Sequence, residues 1–292
     1  MGKTTLYQFE VDHRNIDCGM CYIIQCEDGS FFVIDSAHMN SVMDHIRIHD
    51  FMKKLTPAGK KIRIAGWFFS HAHQDHIVKF MDFINSDYED YEIGALYYNF
   101  PGPDSYIIKK CLGEEDQVTY AEFTELMEKH PELKKVTLHT GDEFKIGELT
   151  FKVLVTWEDI TEPMVHFNDS SVVLMMEVKG QKVFFPGDAG NLEADFLVKK
   201  YGKELKSDIL QLSHHGFRGG SVELYDLTDA PVVLVPTDQK HYDENVERET
   251  SKRAYEHAKE IYIAGNGTVG LSLPYKANTA EVLPQAINHL VH

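Results

Sequence analysis

Ser70-His71-Ala72-His73-Gln74-Asp75-His76 sets three imidazoles and a carboxylate side by side on a short piece of chain. It follows directly on Ile62-Arg63-Ile64-Ala65-Gly66-Trp67-Phe68-Phe69, an apolar run that predicts a buried strand. Beyond it, Ile77 to Ile84 carries helical spacing, so the histidines fall on the turn between a strand end and a helix. Such a turn lets His71 and His73 converge on one cation while Asp75 and His76 face a second. Four side chains cannot close two sites, so the reading demands further donors at other strand ends.

The chain supplies them. Val183-Phe184-Phe185-Pro186-Gly187-Asp188 is an apolar strand ending in Gly-Asp, and Ile209-Leu210-Gln211-Leu212-Ser213-His214-His215-Gly216 is another ending in a histidine pair. Met164-Val165-His166-Phe167-Asn168-Asp169-Ser170 sets a further histidine before the predicted strand Ser171 to Val178. Nitrogen and oxygen donors without thiolate suit two divalent ions, zinc by default and equally manganese or iron. Two such ions about 3.5 to 4 Å apart share a water, lower its pKa and hold the attacked carbonyl or phosphoryl oxygen. The resulting hydroxide is then the nucleophile, and no serine or cysteine nucleophile is required.

Composition bounds the setting. With 43% hydrophobic and 26% charged residues over 292 positions, the chain has the make-up of a folded globular protein. Strands alternate with helices and no Gly/Ser- or Pro-rich linker interrupts them, which predicts one α/β domain over 1–292 whose two halves meet near Gly147. No apolar run approaches the roughly 18 to 20 residues of a membrane span, and the start lacks a secretory h-region, so a cytoplasmic protein without membrane contact is expected. Four cysteines, Cys18, Cys21, Cys26 and Cys111, are too few for a disulfide framework. Lys and Arg number 29 against 46 Asp and Glu, a net −17 that repels phosphate backbones. Long nucleic acid is therefore disfavoured, and a small or locally presented substrate is expected.

The whole pattern resembles the metallo-β-lactamase-fold hydrolase superfamily: H-x-H-x-D-H, then a lone His, an Asp after a strand, and a last His. The likeness runs from Asp35, which ends an early strand, to the C-terminal strands. Within that superfamily the chain is most similar to the hydrolase-like domain of competence DNA-uptake proteins and to phosphorylcholine esterases. Asn168-Asp169-Ser170-Ser171-Val172-Val173-Leu174, Pro186-Gly187-Asp188-Ala189 and Leu212-Ser213-His214-His215-Gly216 carry that similarity. The resemblance implies an αββα sandwich of two mixed β-sheets with outer helices and a metal site in the cleft along one edge. It further implies that His71, His73 and His166 hold one ion, that Asp75 and His76 hold the other with either member of the pair His214-His215, His214 being favoured with His215 beside the substrate, and that Asp188 bridges them.

Around this centre, Arg218 in the glycine-rich stretch His214 to Ser221 is a candidate receptor for an anionic oxygen, together with the backbone N–H groups there. Lys240, His241 and Tyr242 follow a predicted strand and offer a cation and a proton donor to the leaving group. Asp35 reads as a carboxylate supporting the ligands from behind. Other signals carry less. Cys18-Gly19-Met20-Cys21 has no second pair and enters an apolar strand, Gly265 to Gly270 precedes a strand where a nucleotide-binding motif needs a helix, and His45 and His49 lack a third ligand. The expected activity is hydrolysis of a phosphoester or phosphodiester, with a lactone or carboxylic ester, a nuclease of the competence-protein type, and a noncatalytic metal-retaining binding protein as alternatives.

Overall fold

The computed structural model describes residues 2–12 and 18–283. Its strands β2 (Tyr22–Gln25) and β3 (Phe31–Ile34) show why the sandwich has four layers. Phe31 and Val33 belong to one core cluster and Phe32 and Ile34 to another. Successive side chains of a strand leave on opposite faces, so a run apolar at every position must be covered on both sides.

Among the described residues the first sheet has nine strands. Its path runs β16 (Glu281–Val282), β15 (Val269–Leu273), β1 (Thr4–Gln8), β2, β3, β4 (Ile62–Phe68), β6 (Leu96–Tyr98) and β7 (Lys135–Thr137), with β5 (Tyr91–Ile93) also on β4. The second sheet runs β14 (Glu260–Ile263), β13 (Val232–Val235), β12 (Ile209–Gln211), β11 (Gln181–Phe185), β10 (Val173–Val178), β9 (Leu149–Val155) and β8 (Glu143–Ile146). Both sheets are mixed: β3, β4 and β6 pair in parallel, as do β11 to β14, whereas β1–β2–β3 and β8 to β11 are antiparallel.

Tyr22, Phe32 and Phe68 of the first sheet meet Phe151, Leu174, Met176 and Phe185 of the second in the central layer. Outside the first sheet lie α1 (Asp44–Leu55), α2 (Gln74–Ile84), α3 (Tyr106–Cys111) and α4 (Glu114–Lys129); Trp67 and Phe69 pack on Phe80 of α2 and Phe69 on Phe123 of α4. Outside the second lie α5 (Asn191–Tyr201), α6 (Val222–Thr228), α7 (Gln239–Asn245) and α8 (Glu249–His257), with Leu197, Leu224 and Ala254 in its outer core. No helix of the described residues is long and apolar enough to cross a membrane.

The chain passes from the first sheet to the second between Thr137 and Glu143, while Gly147, at φ 55°, turns the β8–β9 hairpin. β15 and β16 then return to the first sheet, so the two sheets are not two successive halves of sequence. Cys21 is buried in the core, and residues 264–268 form a turn joining β14 to β15. Helices α7 and α8 are parted at Val246 to Arg248.

Candidate metal centre

All the predicted donors but His166 sit where the chain leaves the carboxyl end of a strand, β4 for His71 to His76, β11 for Asp188 and β12 for the histidine pair, whereas His166 caps the turn 167–170 that precedes β10. At the first of these, His73 is the N-cap of α2 but makes no capping bond of its own. Asp116 at the start of α4 accepts from Gln74 N instead, at 3.1 Å, leaving the His73 ring to turn toward His71. His71 Nε2 and His73 Nδ1 lie 2.9 Å apart. Asp75 and His76 follow in the first turn of the helix, where the positive end of the helix dipole favours a carboxylate.

Asp75, His76, Asp188 and His215 bring one donor atom each within 4.8 Å of one another, all four largely buried. His215 Nε2 is 2.9 Å from Asp75 Oδ2 and 3.5 Å from Asp188 Oδ2. His76 Nε2 is 3.4 Å and 3.5 Å from the same two carboxylates, and His71 Nε2 stands 3.9 Å from Asp188 Oδ2. His76 Nε2, His215 Nε2 and Asp188 Oδ1 are buried without a hydrogen-bond partner. Buried polar atoms are ordinarily paired, so a cluster of convergent donors left unpaired fits a cation.

The far side of each ring is tied down. His76 Nδ1 reaches Asp35 Oδ2 at 2.8 Å, and Asp35 also accepts from Ser70 N and Ser70 Oγ, both at 2.8 Å. His215 Nδ1 is 2.8 Å from the Pro236 carbonyl, which holds a proton on Nδ1 and aims Nε2 at the carboxylates. Asp35 holds this position at φ 53°, fully buried. Asp35→Ala is expected to cost about 3 kcal/mol, because it strands a buried imidazole and the Ser70 amide together. Urea unfolding would measure it, and a loss below about 1 kcal/mol would show that His76 does not depend on Asp35.

Electrostatics divides the imidazoles. Burial, aided by His76 and His73, depresses His71 well below its usual range, and burial likewise lowers His73. For His76 and His215 burial acts the same way, yet the facing carboxylates outweigh it: His76 is raised well above its ordinary value and His215 to about 10. Asp75 and Asp188 are in turn held well below the usual carboxylate range, burial notwithstanding, by His76 and His215.

Two expectations meet a different geometry. His214 does not face the carboxylates; its Nε2 lies 2.9 Å from Asn168 Nδ2, and His215 takes the inward place. The cause is backbone. His214 (φ 49°, ψ 48°) and His215 (φ 54°, ψ 15°) are both left-handed, followed by Gly216 at φ 82°, and this tight turn aims adjacent rings apart. His166 is exposed. Its backbone is extended (φ −123°, ψ 138°), so with Phe167 buried and packed on the His73 ring at 5.2 Å, His166 must leave on the opposite side.

Asp188, His214, Asn168, His166 and Arg218 line a cleft of about 440 Å³, whose other wall includes Pro163, Val165 and Leu192. Arg218 is exposed and makes no ion pair or hydrogen bond with a described residue. The loop's backbone serves less than expected, since Phe217 N and Gly220 N are spent on the His214 and Ala189 carbonyls. Lys240, on α7, is exposed and lies 3.9 Å from Glu244. Tyr242 packs against Tyr255 with the rings tilted, and His241 bonds Asp238 with its ring against Phe217; none of the three lines the cleft. The sequence did not single out Asn168 as a side chain of the site, and the position of Asn168 Oδ1, buried without a partner, emerges only from the fold.

No protein-family model and no curated protein sequence matches the chain. Solved structures do. The metallo-β-lactamase fold protein YhfI from Bacillus subtilis superposes at TM-score 0.51 with 12% identity, over 89% of this chain and 96% of that one. Unliganded yeast PDE1 does so at 0.52 and 12%, over 94% of this chain and all of its own. CmlA, a diiron β-hydroxylase from Streptomyces venezuelae, does so at 0.54 and 12%, over 94% of this chain but only 55% of CmlA. The αββα sandwich is thus the metallo-β-lactamase fold.

Proposed function

We propose that the protein is a metal-dependent hydrolase acting on a phosphoester or phosphodiester of modest size. The observation that carries this is the set of buried, unpaired, convergent atoms of His76, Asp188 and His215 beside Asp75, with His71 and His73 facing each other next to them. Fold alone does not choose a chemistry. Asp75, His76, Asp188 and His215 would hold one ion, and His71, His73 and Asp188 a second, with zinc the default for such donors. Ions so placed supply Lewis acidity toward the attacked oxygen and acidify a water.

The protein's own groups do the rest. Asp188 faces both sets of imidazoles and neutralises them, Asp35 and the Pro236 carbonyl fix the rings of His76 and His215, and His214 with Asn168 borders the place where substrate enters. Arg218 supplies a cation with no carboxylate partner at the mouth of the cleft in a chain of net charge −17, which favours an anionic ester over a lactone or neutral ester. The acidic body speaks against long nucleic acid.

The test is turnover of bis-p-nitrophenyl phosphate, p-nitrophenyl phosphate, p-nitrophenyl acetate and a lactone by the metal-loaded protein. Phosphoester turnover lost on chelation is expected; lactone turnover alone would sink the reading. Arg218→Ala is expected to raise KM for the phosphoesters about tenfold, as removal of a charged contact does, and to leave the neutral ester unchanged. Equal effects on both would remove Arg218 from the anion site.

A further inference from the structure

We infer that Asp169 and Glu193 form a carboxylic acid pair that shares one proton and hands it to the leaving oxygen of the substrate. The inference rests on the hydrolase reading above and supplies the proton donor that reading lacks, since Lys240, His241 and Tyr242 do not line the cleft.

Asp169 lies in the turn 167–170 and lines the cleft, although it is only 5% exposed, and Glu193, in the first turn of α5, is fully buried. Glu193 Oε2 accepts from Gly190 N at 3.1 Å, which closes the start of the helix. Its Oε1 is buried and meets no donor; the group it does meet is the Asp169 carboxyl. A Cβ on Gly190 would come within 2.3 Å of Asp169 Oδ1, so the glycine is what admits this second carboxyl against the start of α5.

Two carboxyl groups in contact and away from water cannot both be ionised, and among the described residues neither has a Lys or Arg beside it. One shared proton gives Glu193 Oε1 its missing hydrogen bond and leaves a single charge on the pair. Burial, joined by the charge of Asp169, pushes Glu193 well above the usual carboxylate range. Burial also raises Asp169, against a hydrogen bond from Glu193 and the charge of His166. Besides each other, the titratable groups that feel the pair are His166, on the same turn, and Cys111 of α3. Asp169 is the outlet of the pair to the cleft. As the oxygen of water bonds to phosphorus, the bond from phosphorus to the leaving oxygen breaks, and its electron pair stays on that oxygen, which takes the proton of the pair. The attacking water releases a proton to solvent, and the pair recovers one from there.

The experiment compares kcat of the metal-loaded protein on matched p-nitrophenyl and unsubstituted phenyl phosphoesters, and adds infrared spectroscopy of the carboxyl groups at neutral pH. The p-nitrophenolate leaves unaided, whereas phenolate, the stronger base, needs the proton. Asp169→Asn is expected to lower turnover of the phenyl ester about a hundredfold and that of the p-nitrophenyl ester less than about threefold. In the wild type, phenyl turnover should fall as pH rises through the titration of the pair. Glu193→Gln removes the neighbouring acid and should move that fall about one unit lower. The infrared difference between wild type and Glu193→Gln should show one protonated carboxyl in the wild type only, and it decides the matter if Asp169→Asn does not fold. Equal losses on both esters, the same selective loss in His166→Gln with Asp169→Asn unaffected, or no protonated carboxyl in the difference would overturn the pair's role and leave the hydrolase reading standing. No phosphoester turnover by the wild type would overturn both.

Discussion

Asp188→Asn is expected to abolish retention of a divalent cation and to lower phosphoester turnover by about a thousandfold or more. Asp188 is the carboxylate whose Oδ2 lies within 4 Å of three imidazole Nε2 atoms, those of His71, His76 and His215. Asparagine keeps the volume but removes the charge and can turn an N–H₂ toward atoms that need an acceptor. In the metal-free protein the same change leaves the raised imidazoles of His76 and His215 with one counter-charge fewer in a buried place, so stability falls too. Elemental analysis, circular dichroism and steady-state kinetics on one preparation separate these effects. A variant that keeps a full complement of metal and wild-type kcat would dismiss Asp188 as the shared ligand.

The second large effect is a contrast between neighbours. His215→Ala is expected to lose the ion that Asp75, His76 and Asp188 would share with it, and with that ion about a hundredfold or more of turnover. His214→Ala should keep the ion and lose activity through kcat or KM while the protein stays loaded. The contrast follows from the left-handed turn that sends His215 Nε2 toward Asp75 and His214 toward Asn168. Were His214→Ala the variant that sheds metal, the assignment would have to be exchanged.

Much of this could be read in the chain because strands buried on two faces write unbroken apolar runs. Ile62 to Phe69, Val183 to Phe185 and Ile209 to Leu212 each announced a strand and, at its end, a donor-bearing loop. Where burial is partial or the element is short, the signal fades: β5 and β6 have three residues each, and β1, Thr-Thr-Leu-Tyr-Gln, carries no clear alternation although all but one of its residues are buried. Helices α3 and α6, of six and seven residues, are likewise too short for a period of 3.6 to declare itself.

At the site the same limit applies to direction. Residue type and spacing locate His214-His215 and His166-Phe167, but which member of each pair faces inward is decided by backbone dihedrals. Two successive non-glycine residues at positive φ are rare enough that no spacing rule predicts them. Lys240, His241 and Tyr242 stand in the first turn of α7, whose N-cap is Asp238, and the His241 ring is bonded to that cap.

The gathered donors come from both layers, from the end of β4 in one sheet and from the ends of β11 and β12 in the other. A cation among them would therefore act as a rivet through one rim of the sandwich. Without it, that rim is fastened by single contacts such as Val172 N to Ser70 O, at 2.8 Å, and His215 Nε2 to Asp75 Oδ2, at 2.9 Å. Starved of metal, the molecule should begin to fray there, and a protease would find its first cut near the same seam.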